Sequence, residues 1–96
     1  MDKVKIGAIE YKIVEEKGLT DSSGDTKLDG RCGWHNCEIH IEKKMSLQTK
    51  QLTVWHEVIH AILIHAGVNK HDEQLINILS YGIMDVLENN PEMRNK

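Results

Sequence analysis

The part of the chain with the clearest chemical potential is the run His56-Glu57-Val58-Ile59-His60. On an α-helix the two histidines lie one turn apart and only about 40° apart around the axis. Two neutral imidazoles at this spacing can bind one Zn²⁺, and a carboxylate beside them can accept a proton from water. The pattern therefore predicts a site for one zinc ion, with His56 and His60 as ligands and Glu57 as the general base of a hydrolase.

Two histidines do not complete such a site, because catalytic zinc usually has three protein ligands and one open position. Helical geometry favours Glu73, which on a second helix is turned about 100° from the apolar stripe, in the same sense as the histidines. Asp72 is the second candidate, although in a first turn it would satisfy backbone N–H groups instead. His71 is predicted to point away and His65 lies about 180° from His56, so we expect both to be solvated.

Other polar residues are candidates for supporting roles. Asn77 lies one turn after Glu73 and is a candidate to hold a ligand in place. The residues considered for stabilising an oxyanion are Tyr81, His35 and His40. A second zinc site built from Cys32, His35, Cys37 and His40 is disfavoured, because strand alternation puts Cys37 and His40 on opposite faces. A disulfide between the two cysteines is conceivable, but free thiols are expected in a reducing compartment.

The pattern of apolar residues predicts an α+β fold in which a small antiparallel sheet of about three strands precedes two antiparallel helices. We expect a short extended piece at Val4 and Ile6, strands at about residues 9–15, 28–32 and 37–41, and a loop at 17–26. Ser46 is predicted to cap a helix over residues 47–66 that ends at Gly67. Asn69 is predicted to cap a second helix that ends near residues 89–90. This gives one domain over residues 1–90 and a polar tail at 91–96.

The motif at residues 56–60, followed by Glu73-Gln74-Leu75-Ile76-Asn77, resembles the gluzincin type of zincin metallopeptidase. It looks most like the short phage- and prophage-encoded members near the ImmA/IrrE family. In that family a later Glu begins an ExxAN-like stretch and is the third zinc ligand. Glu73 and Asn77 match this stretch, Ile76 replaces its Ala, and the interval after His60 is shorter than in typical gluzincins.

The resemblance covers roughly residues 37–90 and implies a zinc-dependent peptidase with His56, His60 and Glu73 as ligands. It also implies that an extended peptide substrate pairs with the strand at residues 37–41. Two alternatives remain. One is a non-catalytic regulatory protein with the zincin fold, similar to a phage anti-repressor. The other is a structural zinc protein with a closed site of four ligands.

Composition and charge limit the classes of partner that the protein is expected to bind. The chain has 96 residues and a net charge of −3, and without a basic block there is no electrostatic case for nucleic acid. The apolar run Ala61-Ile62-Leu63-Ile64 is too short to span a bilayer, and no signal-peptide core follows the N-terminus. We therefore expect a cytoplasmic protein whose partner is a protein or peptide substrate, with the oligomeric state left open.

Overall fold

Four β-strands followed by two α-helices form the fold of the computed structural model, which describes residues 2–21 and 23–94. The strands are β1 (Lys3–Ile6), β2 (Ile9–Glu16), β3 (Gly30–Gly33) and β4 (Glu38–Glu42). The helices are α1 (Leu47–His65) and α2 (Glu73–Asn89). A short 3₁₀ helix, Pro91–Arg94, occupies most of the predicted polar tail, while residues 95–96 lie outside the described residues.

The sheet is mixed, with the strand order β1-β2-β4-β3. β1–β2 and β3–β4 are antiparallel pairs, whereas β4 lies parallel to β2, with Ile13 opposite Ile39. The α+β class, with a small sheet followed by two helices, is therefore confirmed, but the sheet is mixed and not antiparallel throughout as expected. Side-chain alternation identifies a strand and its buried face without specifying its direction or its neighbour. Here the segment after β2 crosses to the far edge, so that β4 returns between β2 and β3.

α1 covers one face of this sheet and forms the core with it. Alternate strand residues point toward the helix, as the period of two requires. The buried cluster contains Ile6, Tyr11, Ile13, Ile39, Ile41, Val58 and Ala61. Because Val58 and Ala61 belong to α1, the segment that carries the motif is fixed directly on the sheet. The site residues are thereby attached to a helix that is packed into the buried core.

Both ends of α1 follow the sequence prediction closely. The Ser46 side chain accepts a hydrogen bond from the backbone N–H of Thr49 at 3.2 Å, which makes it the N-cap. The helix ends at His65, and Gly67 follows with φ +83°, a conformation that costs glycine little. The predicted start of α2 is wrong, because the cap is Asp72, whose Oδ1 accepts from Leu75 N at 3.1 Å, and not Asn69.

α2 runs back along α1 and buries only a narrow face. Ile76 and Ser80 are buried, and the Ser80 hydroxyl donates to the Ile76 carbonyl at 2.7 Å. Leu75, Leu79 and Val86 are exposed, although their helical spacing predicts burial. The apolar stripe that these residues form on α2 is therefore wider than the surface that α1 covers. Among the described helices there is none that combines the length and the apolar character needed to cross a membrane.

Candidate metal centre

Three potential ligands converge where the C-terminal half of α1 meets the first turn of α2. Nε2 of His56 lies 3.0 Å from Glu73 Oε2, and Nε2 of His60 lies 2.8 Å from Glu73 Oε1. The two Nε2 atoms are 3.2 Å apart. The helical spacing brings the two imidazoles together, and the Asp72 cap fixes the turn from which Glu73 reaches them. We call these three residues the metal group.

The metal group fits a metal ion in both geometry and chemistry. Three ligand atoms about 2.1 Å from one ion, at tetrahedral angles, lie about 3.4 Å from one another. The observed separations of 2.8–3.2 Å are close to this value. Two imidazole nitrogens and a carboxylate oxygen bring lone pairs together, an arrangement that a shared cation stabilises. His56, His60 and Glu73 together could therefore hold a metal ion.

The choice between the two candidate third ligands has a structural explanation. Glu73 is largely exposed, and both of its carboxylate oxygens face the histidines. Asp72 instead uses its carboxylate at the helix N-terminus, where it accepts the hydrogen bond from Leu75 N. Asn77, considered as a support for Glu73, is exposed.

Glu57 lies beside the metal group in a much drier position. Glu57 is only 7% exposed, because its side chain is enclosed between α1 and β3. Burial, followed by the negative charge of Glu73, raises the pKa of the Glu57 carboxyl to about 7. A carboxyl group with this pKa can both accept and release a proton near neutral pH. The pKa of His60 is lowered, chiefly by burial, which favours the neutral ring that metals bind.

A residue that sequence reasoning placed away from the site contacts it directly. His71 Nδ1 lies 2.6 Å from His60 Nδ1, and the two rings lie edge to edge with centroids 4.9 Å apart. His71 Nε2 is 2.8 Å from the carbonyl oxygen of Val68. The prediction that His71 points away is wrong because it assumed helical rotation at a residue that precedes the cap Asp72. The sequence carries no signal for the path of this connection.

The other histidines and Tyr81 do not join the site. His40 lies on the sheet face opposite α1, between Glu16 at 2.6 Å and Glu38 at 3.0 Å. His35 stacks on Trp34 in the turn after β3, and Tyr81 is 62% exposed. His65 is exposed, as expected, and its Nε2 also lies 2.7 Å from the hydroxyl of Tyr11.

Cys32 in β3 and Cys37 in the turn before β4 are free thiols. Burial, followed by the charges of Glu57 and Cys37, raises the pKa of the Cys32 thiol to about 11. Cys32 is therefore a packing residue at neutral pH, since the thiolate is the reactive form and the metal ligand. Cys37 has φ +56°, the left-handed conformation, at the end of the turn that precedes β4.

The chain matches no protein-family model, no curated protein and no solved structure. The likeness to gluzincins therefore stays a prediction that depends on the motif and on Glu73. What the chain itself provides is the metal group, together with a buried carboxyl group next to it.

Proposed function

We propose that this protein is a zinc-dependent metallopeptidase that hydrolyses peptide bonds of a protein or peptide. The observation that carries the proposal is the convergence of His56, His60 and Glu73 within 3.2 Å of one another, beside the buried carboxyl of Glu57. A purely structural site would gain nothing from Glu57, because burying a carboxyl group costs free energy. Three ligands also leave one position open for a reactant.

Each residue has a separate task in the proposed reaction. When bound, zinc polarises the peptide carbonyl and acidifies water. His56, His60 and Glu73 hold the ion at the surface between the two helices. Glu57 accepts a proton from the attacking water and delivers it to the leaving amine, a double role suited to a carboxyl with a pKa of about 7. Its enclosure by β3 keeps this proton away from bulk solvent.

The sheet supports a different position for the peptide substrate from the one that the resemblance implies, the strand at residues 37–41. β4 is paired on both sides, with β2 and β3, so it has no edge to offer a peptide. The free edges among the described strands belong to β1 and β3, and β3 is the one whose backbone lies against Glu57. Glu42 N donates to Asp29 O at 2.8 Å, so by antiparallel alternation the backbone groups of Gly30 and Cys32 face the free edge. A peptide added there would lie next to Glu57.

Zinc content and peptide hydrolysis test the proposal directly. Purified wild-type protein should hold about one zinc ion per chain and cleave an unfolded protein such as casein. Glu57→Gln should keep the metal and lose activity by a factor of about 10² or more. Glu88→Gln, on the exposed side of α2, is the matched control and should retain both. Wild-type protein that is free of metal at neutral pH, or equal activity in Glu57→Gln, would contradict the proposal.

One observation favours a second candidate, a non-catalytic module that binds a regulatory protein. Leu75, Ile78 and Leu79 on α2 are 52%, 59% and 44% exposed, which leaves an apolar surface next to Glu73. In this case Glu57→Gln would leave the biological effect intact, whereas a charged residue at Ile78 would remove it. The same Glu57→Gln protein therefore separates the two functions.

A further inference from the structure

A line of hydrogen bonds links the metal group to the backbone of the segment between the helices. It runs from the Val68 carbonyl through both nitrogens of His71 to Nδ1 of His60, over distances of 2.8 and 2.6 Å. Nε2 of His60, on the other side of the same ring, is the atom that faces Glu73. The segment itself is anchored, since Val68 N donates to the Leu63 carbonyl at 2.9 Å.

The positions of the protons along this line follow from one fixed acceptor. A carbonyl oxygen can only accept, so the proton of a neutral His71 must be on Nε2, where it is donated to Val68. Nδ1 of His71 then presents a lone pair. At 2.6 Å from it, Nδ1 of His60 must carry the proton and donate it. The remaining lone pair of His60 is therefore on Nε2, the atom that faces Glu73.

From this line we infer that His71 is a positioning residue, which fixes His60 in the tautomer that binds metal through Nε2. The inference rests on the proposed zinc site and adds to it a residue outside both helices. A ligating histidine whose other nitrogen donates to a fixed partner is held in orientation and is more basic. The two ring planes are only 26° from parallel, so the contact between the Nδ1 atoms joins the two rings edge to edge.

The test compares zinc affinities, measured by competition with a chelating dye, and not activity. His71→Leu removes the acceptor and should weaken zinc binding by about 10- to 100-fold, the usual effect of losing such a partner. In His71→Asn the side-chain oxygen can accept from His60, so this variant should recover most of the affinity. His35→Leu replaces a histidine that stacks on Trp34, away from the site, and should bind zinc like the wild type.

The outcomes are distinguishable from a failure of the proposed function. If wild-type protein binds zinc and His71→Leu, folded by circular dichroism, binds it equally well, the inference is overturned and the peptidase proposal stands. If wild-type protein binds no zinc, both are overturned. Should His71→Leu not fold, long-range ¹H–¹⁵N spectra of the zinc-loaded wild type show which nitrogen of His60 carries the proton. A proton on His60 Nδ1 supports the inference, and a proton on Nε2 overturns it.

Discussion

The carboxyl group of Glu57 lies directly against the backbone of Gly30, at a distance that leaves no room for a side chain. A Cβ at residue 30 would be 3.3 Å from both Cγ and Oε2 of Glu57 and 2.6 Å from Cγ2 of Thr53. Thr53 cannot easily rotate away, because its hydroxyl donates to the Thr49 carbonyl at 2.8 Å. Glycine at the start of β3 thus allows Glu57, the proposed general base, to lie between helix and sheet.

Gly30→Ala should therefore destabilise the fold and displace Glu57. We expect a loss of about 1–3 kcal/mol in the free energy of unfolding, typical of an overpacked interior. On the proposed mechanism, peptidase activity should fall by more than zinc affinity, because the atoms that the added Cβ would meet first belong to Glu57 and Thr53 and not to a proposed ligand. Gly82→Ala is the control: nothing lies within 4 Å of the added Cβ, so this helix substitution should stabilise by about 0.5–1 kcal/mol. Urea denaturation measures both, and equal effects would refute the packing argument.

The third ligand can be identified by comparing two neighbouring acidic residues. Zinc at about 100 times its dissociation constant should stabilise the wild type by about 2.7 kcal/mol. Glu73→Ala should remove most of this increment while changing the metal-free protein little, since Glu73 is largely exposed. Asp72→Ala should do the opposite, costing about 1 kcal/mol through loss of the cap while keeping the increment. Thermal unfolding with zinc and with a chelator gives both quantities, and a reversed pattern would make Asp72 the ligand.

The sequence predicts the convergence of these side chains well wherever the residues belong to regular helix. His56, Glu57 and His60 are held together by the helical repeat itself, and Glu73 could be nominated because it begins a second helix of readable phase. His71 could not, because it lies in a connection whose dihedral angles follow no repeat. Its contact with His60 depends on where Asp72 starts the helix, whereas the sequence pattern placed the cap at Asn69.

The prediction of the fold from the sequence is limited in the same way. The alternation of Ile39 and Ile41 indicates a strand with one buried face, and this face is indeed the one that packs on α1. Alternation is the same for either strand direction, so the parallel pairing of β2 with β4 had no signal. In α2 the periodic apolar residues outnumber those that α1 can cover, which left Leu75 and Leu79 exposed.

The hydrogen bond between Tyr11 and His65 should contribute to stability independently of the metal. Tyr11 is fully buried in β2, and its hydroxyl meets Nε2 of His65 at the end of α1 at 2.7 Å. Tyr11→Phe keeps the ring and loses the bond, so we expect a cost of about 0.5–1.5 kcal/mol. Tyr81→Phe changes a tyrosine that is 62% exposed and should stay within about 0.5 kcal/mol of the wild type. Urea denaturation with a chelator present measures both, and zinc affinity should be unchanged.

The raised pKa of Glu57 predicts how the stability of the metal-free protein depends on pH. Its folded-state pKa of about 7 exceeds the ordinary value of 4.5, so between these pH values the folded state binds more protons than the unfolded state. Stability must then fall as pH rises through this window. The loss is complete above the folded-state pKa, where the buried carboxylate is charged.

Glu57→Gln removes this titrating group while keeping its shape, so it should be more stable than the wild type at high pH. We expect the variant to exceed the wild type by up to about 3 kcal/mol at about pH 8, and by little at about pH 5, where Glu57 is neutral. The measurement is urea denaturation in the presence of a chelator at both pH values. Taking the difference between the two proteins cancels the other titrating groups, including His60, whose lowered pKa acts in the opposite direction. If the difference between the two proteins does not change with pH, Glu57 is solvated and not buried.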